Sequence, residues 1–195
     1  MADLLDGPDG HARCSWCGTD PLYVAYHDDE WGRPVHDDQR LYEKLCLEGF
    51  QAGLAWITIL RKRPAFREAF ADFAIDVVAA YTDDDVDRLL GDAGIVRHRG
   101  KVTAAIGNAR AAQELIADVG SIDAHVWSFA PDRPGRPASF AEVPGSTPES
   151  TALSKDLKRR GWRFVGPTTV YAFMQSMGIV DDHVDGCWVP EPGLG

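Results

Sequence analysis

Apolar residues recur at three- and four-residue intervals along most of this 195-residue chain, and that period is what most restricts its fold. Asp37 or Asp38 suits the N-cap of a helix carrying Leu41, Leu45 and Leu47. The pattern resumes through Phe50, Leu54, Ile57 and Leu60, with Gly49 and Gly53 as points where it breaks or thins. Pro64 opens a short segment with Phe66, Phe70 and Phe73. Thr82 caps a helix over 83–90, whose Asp-rich first turn complements the helix dipole. Gly91 and Gly94 punctuate, a long helix runs from Lys101 to about Val119, and a short one covers Ile122 to Phe129. Five prolines between positions 130 and 148 mark an irregular loop. Ser146-Thr147-Pro148-Glu149 joins a capping-box spacing to Pro at N1, starting a helix that runs to Arg160 and stops at Gly161. Gly166-Pro167 starts the last helix, with Val170, Phe173, Met174 and Met177 as its stripe and Gly178 as its stop. Alternation of period two is confined to Leu22–Tyr26. The expected class is all-α: a single helical domain over 13–188, with a flexible tail at 1–12 and another at 189–195.

Composition narrows the setting. An apolar fraction of 45% with 26% charged residues argues against a disordered or fibrous chain. No apolar run is long enough to cross a membrane, and residues 1–12 carry three Asp and no Lys or Arg, the wrong charge for a secretory leader. A cytoplasmic protein is therefore expected. The net charge of −10 disfavours a nucleic-acid partner at first sight. Residues 1–12 and the four acids Asp83, Asp84, Asp85 and Asp87, however, hold seven of those charges. Three cationic clusters stand apart from them: Arg61-Lys62-Arg63 with Arg67, then Arg97 to Lys101, then Lys155, Lys158, Arg159, Arg160 and Arg163. Charge placed this way allows a local phosphate-facing surface and predicts weak, salt-sensitive non-specific binding.

Four cysteines, at 14, 17, 46 and 187, occur without a secretory leader, so metal binding or burial are the readings to weigh against a disulfide. Cys14 and His27 lie near one end and His183-Val-Asp-Gly-Cys187 near the other. Thiolate with imidazole suits tetrahedral zinc, and two ligands from each end would tie the chain termini in a closed structural site. Cys14-x2-Cys17 also has ligand spacing, so five candidates compete for four positions.

Lys158 to Tyr171 reads as helix, tight turn, helix. Gly166 lets backbone approach a ligand, the free N–H groups of the second helix form an anion site, and cations flank it. This resembles the helix–hairpin–helix element by which many repair enzymes hold a DNA phosphate, and it places phosphate contacts on Arg163, Val165, Gly166, Thr168 and Thr169.

Trp16, Tyr23, Tyr26 and Trp31 crowd one short stretch among polar neighbours, and Trp56 follows shortly after Glu48. Glu48 itself stands among apolar residues. Since a carboxylate is almost never buried unpaired, it is either bonded to a cation or poised to meet one.

Five segments together carry a more specific resemblance: the run from Arg13 to Gly32, Leu47-Glu-Gly-Phe-Gln-Ala-Gly-Leu-Ala-Trp56, Asp92-Ala-Gly-Ile-Val-Arg-His-Arg-Gly-Lys101, Phe164-Val-Gly-Pro-Thr-Thr169 and Asp182-His-Val-Asp-Gly-Cys187. Across residues 13–188 the chain resembles the DNA-3-methyladenine glycosylase I family. The resemblance implies an all-α helix–hairpin–helix glycosylase with one structural zinc on Cys14, His27, His183 and Cys187, and Cys17 as a bystander. It implies a base pocket on Trp16, Tyr23, Tyr26, Trp31 and Trp56, with Glu48 contacting the adenine edge as the catalytic group. Double-stranded DNA carrying alkylated bases is the implied partner, and a monomer is expected. Many such glycosylases stabilise the sugar cation with an Asp after the hairpin. Asp181 and Asp182 lie there, but the metal turn occupies that region and neither receives the role. No Lys occurs from Gly161 to Asp182, so the amine for Schiff-base strand cleavage is missing and a monofunctional enzyme is expected. Two other readings remain. His27-Asp28 with its acidic neighbours would suit a metal-dependent phosphohydrolase, and a zinc-stapled DNA-binding module would bind damage without chemistry.

Overall fold

A computed structural model describes residues 2–132 and 136–190. Among them are nine α-helices: α1 (Pro21–Asp29), α2 (Asp38–Gln51), α3 (Trp56–Ala69), α4 (Ile75–Ala79), α5 (Asp83–Gly91), α6 (Arg99–Val119), α7 (Ile122–Trp127), α8 (Pro148–Arg159) and α9 (Pro167–Ser176). A two-stranded antiparallel hairpin, β1 (Leu4–Asp6) and β2 (Ala12–Cys14), precedes them, pairing Leu4 with Cys14 and Asp6 with Ala12. Among the described residues no helix is long and apolar enough to cross a membrane.

The first of these elements departs from expectation. Residues 4–12, expected within a flexible tail, are ordered by the hairpin ladder and by Arg13, which donates to Asp9 at 2.6 and 2.9 Å and to Asp28 at 3.0 Å. At the other end Val189 is buried and Arg33 donates to the Pro190 carbonyl at 3.3 Å; the rest of the tail expected at 189–195 lies outside the described residues, as does Pro134 of the proline loop.

Helix α2 runs through the centre, packed against α3, α6, α7 and α9. Asp37 accepts from the Arg40 amide at 2.9 Å and so sets its start. Its residues from Leu41 to Phe50 are all buried. Lys101 of α6 ends it, donating to the Phe50 and Ala52 carbonyls at 2.9 and 2.7 Å, and Gly53 turns the chain with φ +84° into α3.

Three local expectations are corrected by the structure. Leu22–Tyr26 is helical: Asp20 accepts from the Leu22 and Tyr23 amides and Pro21 takes N1, so cap chemistry outweighs alternation. Pro64 lies inside α3 instead of opening a segment. The buried Ile59, Leu60 and Phe66 carry the helix past it, and Phe66 packs at a tilt against Phe50 with ring centres 4.6 Å apart. The cap of α8 is Thr147, which exchanges bonds with Ser150, one residue later than the Ser146–Glu149 pairing read from spacing.

The turn between α8 and α9 is held from outside. Asn108 of α6 donates to the Arg163 carbonyl at 3.1 Å and accepts from the Arg163 amide at 2.8 Å, while Ser154 donates to the Val165 carbonyl at 2.6 Å. Phe164, with φ +57°, lies across Gly49, where a Cβ would come within 3.1 Å of the Phe164 Cβ.

Candidate active site

Trp16, Tyr23, Tyr26, Trp31, Glu48 and Trp56 line one cleft, together with Gln51, Gln175 and Asp182. A 3-10 turn (Ser15–Cys17) supplies Trp16, α1 supplies both tyrosines, and α2 and α3 supply Glu48 and Trp56. The rings brace one another: Trp16 is 5.1 Å from Tyr23 and 4.9 Å from Trp31, and Tyr26 is 5.5 Å from Trp56. Burial, reinforced by the Glu48 charge, holds the Tyr26 phenol well above its ordinary pKa, so it stays neutral. The Trp56 indole N–H is buried without an acceptor. An aromatic wall with a free donor and one carboxylate suits a flat, electron-poor heterocycle.

Glu48 takes the first of its two alternatives: it is bonded to a cation. Lys44, one turn earlier on α2, reaches it at 2.9 Å, and both side chains are buried. The same ammonium donates to the Tyr26 hydroxyl at 2.8 Å and sits 3.2 Å from the Trp56 ring centre. Burial pulls the Lys44 amine down, to about 8, against the attraction of Glu48. Sequence reasoning missed Lys44. The signal was its i,i+4 spacing to Glu48 amid Leu45, Cys46 and Leu47.

Asp182 is buried at the cleft and accepts from the Tyr171 hydroxyl at 2.6 Å and from Gln175 at 2.8 Å. Asp181 accepts instead from His183 Nδ1 and Arg136, each at 2.7 Å.

The termini meet beside this cleft. Ligand atoms of Cys14, His27 and Cys187 lie within 4.8 Å of one another, all buried, and this cluster could hold a metal ion. The His183 ring centre is 5.0 Å from that of His27, and His183 Nε2 is buried without a partner. Both imidazoles are oriented by a carboxylate at Nδ1, His27 by Asp28 and His183 by Asp181, each at 2.7 Å. That turns both Nε2 atoms away from the carboxylates, His27 Nε2 accepting from the Cys14 amide at 3.3 Å and lying 3.5 Å from the Cys187 thiol, the usual orientation of a metal-binding histidine. A hydrogen bond from Cys14 holds the Cys187 thiol below its ordinary range, against burial. Cys17 is buried outside the cluster, its thiol on the Gly18 carbonyl, and Cys46 is buried in α2. All three residues of the cluster are buried, away from solvent. Gly32 permits the approach: at φ +76°, a Cβ there would come within 2.7 Å of His183 Cε1.

At the second helical turn, Gly166 caps α9, Val165 is buried, Thr169 is half-buried, and Arg163 and Thr168 are exposed. Lys155 and Lys158 are exposed on the adjoining α8. The other cationic clusters are largely spent within the protein. Arg61 pairs with Asp20, Arg63 with Glu30 and Arg67 with Glu43, and Lys101 holds the α2 carbonyls.

The methyladenine glycosylase family model matches residues 16–190. The chain is 51% identical over 177 residues to DNA-3-methyladenine glycosylase 1 of Escherichia coli strain K12, covering 90% of this chain and 95% of that protein. It is 46% identical to DNA-3-methyladenine glycosylase of Haemophilus influenzae, covering 90% and 96%. A crystal structure of 3-methyladenine DNA glycosylase I superposes with TM-score 0.87 at 50% identity, covering 90% of this chain and 98% of that one. The Staphylococcus aureus enzyme, solved for the structural basis of 3-methyladenine recognition, gives TM-score 0.87 at 37% identity over 91% and 96%. With the family model matched over most of the chain and about half of the residues identical to those of a named relative, this chain belongs to the methyladenine glycosylase family.

Proposed function

We propose that this protein is a monofunctional DNA glycosylase that removes 3-methyladenine from alkylated double-stranded DNA as the first step of base excision repair. The observation that carries the reading is the convergence of Trp16, Tyr23, Tyr26, Trp31, Trp56 and Glu48 on one cleft. Methylation at N3 gives the nucleotide base a positive charge. The base must leave the stack to reach such a cleft, and damage lowers the cost of extrusion. The aromatic faces then favour the cation over neutral adenine, by roughly 0.5–2 kcal/mol per good contact. Glu48 adds hydrogen bonding to the adenine edge. When the C1′–N9 bond breaks, its electron pair goes to the base, which leaves neutral, and water adds to the sugar cation with loss of a proton. The leaving group needs no proton, so pocket electrostatics carry more of the selectivity than acid catalysis does.

The turn between α8 and α9 acts as the helix–hairpin–helix phosphate clamp, through Arg163, the backbone at Val165 and Gly166, and Thr168 and Thr169, with Lys155 and Lys158 beside it. Zinc on Cys14, His27, His183 and Cys187 joins the hairpin to the C-terminal segment; its chemistry is structural. The protein acts in the cytoplasm as a monomer. Chromatography of bases freed from methylated duplex DNA tests the reading. Release of 3-methyladenine with the sugar–phosphate strand left intact is expected, and no release of any methylated base would overturn it.

A further inference from the structure

The cleft presents an electrostatic difficulty. The reaction discharges the base: it enters positive and leaves neutral, while positive charge builds on the sugar. A lone buried carboxylate at the base would hold the charged substrate more tightly than the neutral leaving group, deepening the ground state and raising the barrier. Glu48 is not alone. Lys44 lies 2.9 Å from it, against the Tyr26 hydroxyl and the Trp56 face.

We infer that Lys44 is a positioning and specificity residue for base release: its buried ammonium offsets the Glu48 charge so that the pocket holds the departing neutral base as well as the arriving cation. This rests on the proposed excision reaction. Repulsion between Lys44 and the charged base is present in the bound substrate and relieved as charge moves to the sugar, so it acts in favour of bond cleavage. The same ammonium covers one face of the Trp56 ring. Lys44 therefore trades substrate affinity for rate.

The groups facing Lys44 are Tyr26 of α1 and Glu30 just after it, Glu48 of its own helix, and Arg63 of α3. Tyr26 is held well above its usual range, and Arg63 is held charged by its pair with Glu30. Lys44, drawn down to about 8, is the group in this set that discharges in mildly basic solution.

The test compares the wild-type protein, Lys44→Met and the double variant Lys44→Met/Glu48→Gln by single-turnover release of 3-methyladenine from methylated duplex DNA, titrated with protein at pH 6.5 to 9.5. For Lys44→Met, a release rate lower by about tenfold with a lower half-saturating concentration is expected, the pattern of lost ground-state destabilisation. In the double variant the half-saturating concentration returns toward the wild-type value because both charges are gone, while its rate stays low for want of the Glu48 contact. The wild-type rate falls as pH rises through about 8, and the fall is absent from Lys44→Met. The inference is overturned if Lys44→Met matches the wild type, if rate and affinity fall together, or if the basic-side fall persists without Lys44. The wild-type profile tests the idea even if Lys44→Met folds poorly. A wild-type protein that frees no 3-methyladenine would defeat the proposed reaction itself, a separate outcome.

Discussion

The Cys187 thiol lies 3.5 Å from His27 Nε2, joining side chains 160 positions apart. The surrounding contacts reinforce that closure. The Trp188 amide donates to the Ala12 carbonyl at 2.9 Å, and the Trp188 ring stacks on His11 with centres 4.2 Å apart. The hairpin and the C-terminal segment thus form one unit around a candidate metal cluster, beside a cleft whose Trp16 sits 5.3 Å from the His27 ring.

Metal loading is the first consequence. The purified protein is expected to hold one zinc per chain, and Cys187→Ser to lose it. Asp181→Ala, which removes the acceptor of His183 Nδ1, should weaken zinc binding by about 10–100-fold. Competition with a chromogenic chelator measures both. Full retention of zinc by Cys187→Ser would show that Cys17 or another group substitutes.

Gly32 gives a steric test of the same site. Gly32→Ala must place a Cβ 2.7 Å from His183 Cε1 in a left-handed backbone conformation. A loss of about 1–3 kcal/mol in unfolding free energy is expected, with weaker zinc retention. Urea unfolding and metal analysis check it. Unchanged stability would mean that His183 moves freely.

Glu48→Gln tests the carboxylate in the cleft. Base release should fall by about 100-fold, the scale of one lost polar contact to reacting charge. The variant also strips Lys44 of its counter-ion, which costs about 3 kcal/mol when a buried pair is broken from one side. That cost exists only while Lys44 is charged, below about 8, so the variant's deficit in thermal stability should be larger at pH 7 than at pH 9. A deficit independent of pH would remove Lys44 from the pair.

Salt dependence probes the DNA face. Arg163→Ala and Lys158→Ala should each weaken duplex binding regardless of sequence and lower the slope of log K against log salt by about one. Fluorescence anisotropy from low to moderate salt reads that slope. Arg61→Ala, whose partner is Asp20, should leave the slope unchanged.

Local order is legible in the sequence because caps and periods are local physics. Asp37, Gly161 and Gly178 bound their helices where their side-chain oxygen or permissive backbone predicts, and the stripe from Val170 to Met174 is buried as its spacing requires. The aromatic cluster, Glu48 and the ligand spacing of the termini were visible for the same reason. They are unusual residue types held close together in the chain.

What only the tertiary structure decided concerns partners distant in sequence. Residues 4–12 are ordered because β2 pairs with them, Pro64 stays helical because Phe66 is buried against Phe50, and the Arg61–Arg67 cluster is spent because Asp20, Glu30 and Glu43 face it. Cys17 and Cys14 have equal ligand spacing on paper, yet only Cys14 meets His27 and Cys187. The charge of the cleft belongs to the same class: Glu48 could be read as a buried carboxylate, but its pairing to Lys44 over the Trp56 ring exists only where α1, α2 and α3 meet. Propensity acts over a few residues, whereas the energy of a buried charge depends on every group packed around it.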